Sequence, residues 1–89
     1  MQINFLVIDD EVRLLGFPLK LTPSERKLLY AIASGKRVTI EELMSLLNAG
    51  VSRGNVAVHI NAINRKAERI SRRKLVIFRE NAYEINPIM

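Results

Sequence analysis

Residues 56–66 read Val56-Ala57-Val58-His59-Ile60-Asn61-Ala62-Ile63-Asn64-Arg65-Lys66, and their spacing decides the fold. Val56, Ile60 and Ile63, continued by Ala67 and Ile70, recur at offsets of four, three, four and three. That is one buried stripe of a helix running from Ser52 or Asn55 to about Ser71. With successive residues about 100° apart, the opposite face carries Ala57, Val58, Asn61, Ala62, Arg65 and Arg69. Val58 is the odd member, a β-branched apolar side chain among polar ones. It suits either packing against a loop or contact with thymine methyl groups in a DNA major groove. Asn61 offers an amide that binds an adenine edge in bidentate fashion, and Arg65 suits guanine or a phosphate.

Downstream of this helix, residues 74–79 (Lys74-Leu75-Val76-Ile77-Phe78-Arg79) and Tyr83-Glu84-Ile85 are β-like runs. Glu80-Asn81-Ala82 joins them, and Asn81 suits the positive φ of a tight turn. Tyr83 faces either the core or a nucleic-acid backbone. Upstream, Thr39 and Glu42 form a capping box ahead of Leu43, Met44, Leu46 and Leu47, a short helix stopped by Asn48-Ala49-Gly50. Seventeen residues earlier the same device appears: Thr22 caps, Pro23 takes the first helical position, and Glu25 closes the box. The helix it opens buries Leu28, Leu29, Ile32 and Ala33, and Gly35 stops it. Before it, Phe5 to Ile8, Val12 to Leu15 and Leu19 to Leu21 read as short strands, with Gly16-Phe17-Pro18 as a break. The expected architecture is α+β, a winged helix-turn-helix. It has an N-terminal antiparallel sheet over 1–21, a three-helix core over 22–71 and a β-hairpin wing over 74–86, all in one unit spanning 1–89.

Charge is divided unevenly along this order. Residues 1–50 hold six Lys or Arg and six Asp or Glu, so the net +5 of the 89-residue chain resides in residues 51–89. There Arg53, Arg65, Lys66, Arg69, Arg72, Arg73, Lys74 and Arg79 outnumber Glu68, Glu80 and Glu84. Such asymmetry points to a polyanion, and Arg53, Arg69, Arg72, Arg73 and Lys74 are candidates for phosphate contacts.

Other chemistries find little support. With no Cys, disulfides, thiolate zinc sites and Cys nucleophiles are excluded, which suits a reducing cytoplasm, where a DNA-binding chain is expected on the nucleoid. His59 is the only histidine, so neither a metal site nor a catalytic triad is expected, and its role is a phosphate contact or flanking packing. No glycine-rich phosphate loop or nucleophile elbow occurs, and no cofactor or enzymatic activity is expected. The longest apolar runs, such as Phe5-Leu6-Val7-Ile8, fall far short of the roughly 20 residues that cross a bilayer, so no membrane partner is expected.

Three segments in order resemble the winged-helix effector domain of OmpR/PhoB-type response regulators. Residues 21–29 (Leu21-Thr22-Pro23-Ser24-Glu25-Arg26-Lys27-Leu28-Leu29) resemble the family's Leu-Thr-x-x-Glu-x-x-Leu-Leu. Residues 56–66 are similar to its recognition helix, Val-Asp-Val-His-Ile-x-x-Leu-Arg-x-Lys, and residues 76–83 (Val76-Ile77-Phe78-Arg79-Glu80-Asn81-Ala82-Tyr83) to its wing, x-Thr-Val-Arg-Gly-x-Gly-Tyr. The resemblance implies a four-stranded N-terminal sheet, a third helix in the major groove and a wing near the minor groove. By position it places Asn55, Val58, Asn61 and Ala62 at bases, and His59, Asn64, Arg65 and the wing around Arg79 at phosphates. It further implies dimers on tandem half-sites of double-stranded DNA, and contact with RNA polymerase through the loop between the second and third helices.

The chain departs from the pattern in places. Ala57 replaces Asp, Ile77 replaces Thr, and Glu80-Asn81-Ala82 replaces Gly-x-Gly, which sets an acid beside the expected phosphate. Asn61, Ala62 and Asn64 stand where members often carry Arg, and the loop from Asn48 to Gly54 is short and lacks Trp. Phe5 to Glu11 mimics the first strand of a receiver domain, but Asp9 and Asp10 are the only aspartates, so no phosphoacceptor follows and no phosphorylation switch is expected. The leading expectation is a DNA-binding transcription regulator. The alternative is a winged-helix adaptor that binds another regulator or RNA polymerase through Val58 and Ala62.

Overall fold

The computed structural model describes residues 5–8, 11–34, 37–47 and 53–86. The acidic pair Asp9-Asp10, the expected helix stops at Gly35 and Asn48-Ala49-Gly50, and the expected start at Ser52 lie outside these residues, as does the Arg53 side chain.

Strands β1 (Phe5–Ile8), β2 (Glu11–Leu14) and β3 (Phe17–Leu19) form an antiparallel sheet in that order. Val12 and Leu14 point into the core while Arg13 between them is exposed, the period-two pattern of a half-buried strand. Two boundaries differ from the sequence reading. A two-residue turn, Leu15-Gly16, has φ of 53° and 83°, which matches the twist that favours such hairpins. The chain therefore re-enters the sheet at Phe17, earlier than Leu19, and Pro18 lies within β3, an edge strand where its missing N–H is tolerated. Among the described residues this sheet has three strands, where the resemblance implies four.

Helix α1 (Pro23–Ala33) opens with the expected capping box, in which Glu25 N–H donates to Thr22 Oγ1 (3.2 Å) and Thr22 N–H to Glu25 Oε1 (3.0 Å). Helix α2 (Ile40–Leu46) repeats it with Thr39 and Glu42. Both boxes satisfy amides that a helix start leaves without partners. Leu28, Leu29, Ile32, Ile40 and Leu43 are buried, whereas Leu46, expected on the apolar face of α2, is 38% exposed.

Helix α3 (Arg53–Ser71) lies at the centre, touching α1, α2, β2, β3 and β5. Val56, Ile60, Ile63 and Ala67 are buried and Ile70 half-buried, as the spacing predicts. Strands β5 (Val76–Arg79) and β6 (Ala82–Ile85) close the hairpin, with Ala82 inside the strand and only Glu80-Asn81 in the turn. A two-residue strand not foreseen, β4 (Val38–Thr39), pairs with β6, so the hairpin belongs to a three-stranded sheet ordered β4-β6-β5. Among the described residues no helix is long and apolar enough to cross a membrane.

Candidate nucleic-acid interface

The face of α3 turned away from the core is largely exposed. Asn55, Val58, Asn61, Arg65 and Arg69 are exposed, Val58 to 62%, and Ala57, His59 and Ala62 are half-buried between them. The four side chains expected at bases thus line one side of the helix, three of them exposed and Ala62 half-buried. Exposed Arg72, Arg73 and Lys74 follow directly, which extends the cationic surface past the end of the helix. No acid among the described residues pairs with Arg65, Arg69, Arg72 or Lys74.

Polar clamps on both flanks of α3 fix the rotation of that face. On one flank Asn64 is buried (7% exposed), its Nδ2 donating to the Val76 carbonyl and its Oδ1 accepting from the Val76 N–H, both at 2.9 Å. This corrects the expectation that Asn64 meets a phosphate. It falls about 80° from Val56 around the helix, at the edge of the buried stripe, and both ends of its amide are committed to β5. On the other flank Lys66 Nζ lies 2.6 Å from Glu25 Oε1, an ion pair whose carboxylate is buried at the start of α1. Burial pushes the Glu25 pKa up. The hydrogen bond from Lys66, that from the Thr22 N–H and the charges of Lys66 and His59 outweigh it and hold the group below the usual carboxylate value. His59 therefore lies on the Glu25 side of the helix, half-buried. Lys66, counted with the cations in sequence, is half-spent in this pair.

The end of α3 carries an unusual backbone. Arg72 has φ of 61° and donates its N–H to the Glu68 carbonyl (2.9 Å), the left-handed ending that glycine normally provides. Ser71 Oγ accepts from the Arg73 N–H and turns the chain toward the wing. Asn86 then ties the base of the hairpin, donating from its N–H to Leu75 O and from Nδ2 to Lys74 O, both at 2.8 Å.

At the wing tip Glu80 and Asn81 have φ of 51° and 66°, so both turn residues, and not Asn81 alone, are left-handed. Arg37, just before β4, reaches this turn. Its Nη1 meets Glu80 Oε2 at 3.0 Å, its Nη2 donates to the carbonyls of Arg79 and Glu80, and its Nε lies 3.8 Å from Glu84. Arg79 in turn pairs with Glu84 at 3.0 Å. Sequence reasoning missed Arg37 because 43 residues separate it from Glu80 and no local pattern marks the pair. Tyr83 resolves to the core, buried and 4.8 Å in ring-centroid distance from Phe78, its cross-strand partner, which is 53% exposed. Between α3 and the wing runs an open groove of about 390 Å³, rimmed by Asn61, Lys74 and Phe78 and floored by Ile60, Val76 and Tyr83.

No family model matches the chain, and no curated protein matches it in sequence. Solved structures do. The DNA-binding domain of response regulator AdeR, crystallised with an intercistronic region, superposes with a TM-score of 0.83 at 23% identity over 97% of each chain. The DNA-binding domain of Klebsiella pneumoniae RstA, crystallised with the RstA box, superposes with a TM-score of 0.71 at 19% identity, covering 94% of this chain and 92% of that one. The likeness is one of fold: sheet, three helices and hairpin follow the plan of these response-regulator domains, and the chain is a winged helix.

Proposed function

We propose that this chain binds double-stranded DNA as a transcription regulator, with α3 in the major groove and the hairpin beside the backbone. The observation that carries this is the exposed face of α3, where Asn55, Val58, Asn61 and half-buried Ala62 are flanked by Arg65, Arg69, Arg72 and Lys74, with which no described acid pairs. In this reading Asn61 reads adenine, and Val58 and Ala62 meet apolar base edges. Arg65, Arg69, Arg72, Arg73 and Lys74 contact phosphates, joined by Arg53, His59 and Arg79 at the margins. The solved neighbours, which carry DNA, support the reading by analogy of fold.

Selection of bound duplexes from a random pool, at near-physiological salt, tests it. Enrichment of one motif, as a direct repeat if two copies bind tandem half-sites, is the expected result. Retention only at low salt, without a motif, overturns sequence-specific regulation. A second reading, an adaptor docking on another regulator or on RNA polymerase, is favoured by the exposure of Val58 on α3 and Phe78 on the wing. A protein complex that survives nuclease treatment, in the absence of any motif, is its signature.

A further inference from the structure

The wing tip and the end of α3 treat their cations in opposite ways. Around the tip, Arg37 and Arg79 face Glu80 and Glu84, two charges of each sign joined by contacts of 3.0, 3.0 and 3.8 Å. At the end of α3, Arg65, Arg69, Arg72 and Lys74 have no such acid among the described residues. We propose that Glu80 and Glu84 form an electrostatic latch that competes with DNA phosphates for Arg37 and Arg79, so that these two acids set how strongly the wing grips the backbone. The inference rests on the DNA-binding reading above and assigns the regulation of its second contact surface.

The geometry makes Arg37 the residue to watch. Its contacts to the carbonyls of Arg79 and Glu80 do not involve the Glu80 carboxylate. They keep the guanidinium at the turn whether or not that carboxylate is charged. Glu80 is itself 75% exposed at the side chain and Arg37 39%, so an approaching phosphate reaches the pair and must displace a carboxylate already seated on it. A neutral side chain at 80 leaves Arg37 in place with its charge unmatched. Glu84, only 15% exposed, holds Arg79 at 3.0 Å as its diagonal neighbour on the same face of the hairpin.

The test measures affinity for one random-sequence duplex between about 50 and 200 mM salt for wild type, Glu80→Gln, Arg37→Gln and the double variant. Each added phosphate contact steepens the salt dependence by about 0.9 in log–log slope, which over this range is about threefold in affinity. Glu80→Gln is expected to bind about threefold tighter at the low-salt end and to show that steeper slope. In the Arg37→Gln background the same change is expected to yield less than half of the gain. An equal gain with and without Arg37 overturns the latch, because Glu80 then acts as a bulk charge. Unchanged affinity and slope in Glu80→Gln overturn it as well. If wild type and all variants fail to bind duplex at any salt, the DNA reading falls and the latch with it, an outcome told apart by its presence in wild type.

Discussion

Asn61 and Asn64 are one helical turn apart, carry the same amide and have opposite fates. Asn61 is exposed, while Asn64 gives both amide atoms to Val76. Replacing Asn61 by Ala should leave the melting temperature nearly unchanged and relax base preference by about 1–3 kcal/mol; equal losses on specific and random duplexes would contradict base reading. Replacing Asn64 by Leu strands the buried N–H and C=O of Val76 and should cost about 1–3 kcal/mol for each group left unsatisfied, measured by urea unfolding. The sequence placed both on α3, but the bidentate bond of Asn64 joins positions 12 apart through the fold, which spacing on one helix does not disclose. Arg72 offers a second separation of roles. A non-glycine residue in left-handed geometry costs roughly 1–2 kcal/mol, and glycine returns part of that through added freedom when unfolded. Arg72→Gly should therefore gain up to about 1 kcal/mol of stability, seen as a raised melting temperature. It should also weaken binding to every duplex alike and flatten the salt slope by about one.

Among the elements, the helices were the most legible, because capping boxes and a 3.6-residue period are written in neighbouring residues. Both boxes and the buried stripe of α3 appear where their spacing puts them. The strands were read less well. Strand β4 has two residues and no pattern of its own, since it exists through pairing with β6 more than forty residues away. Strand β3 was placed late because Pro18 reads as a break until the sheet order shows it on an edge. The joint between α1 and α3 carries a pH dependence. Glu25 titrates lower in the folded chain than its ordinary 4.5, so its contribution to stability is complete above that value and is lost as pH falls through the folded pKa. Denaturant unfolding of wild type and Glu25→Gln should diverge above about pH 4.5 and converge in acid. A constant difference across that range would show that the Lys66 pair contributes nothing.

For the molecule as a whole, the sequence located the positive charge in the C-terminal half but not which of it is available. Folding pairs Lys66, Arg37 and Arg79 with acids and leaves Arg65, Arg69, Arg72 and Lys74, with exposed Arg73 beside them, around the end of α3. If these five cations make the phosphate contacts, the log–log salt slope of binding should be about −4.5; a slope near zero would point to the adaptor reading. The three-stranded arrangement of the wing adds a mechanical consequence. Thr39 pairs with Ala82 in β6 and, through Oγ1, caps the first turn of α2 at Glu42. No hinge separates hairpin from helix, so a duplex that tilts the wing also pulls on the head of α2. The two then move as a single lever, and the amides of Glu42 and Ala82 should exchange with solvent through one shared opening.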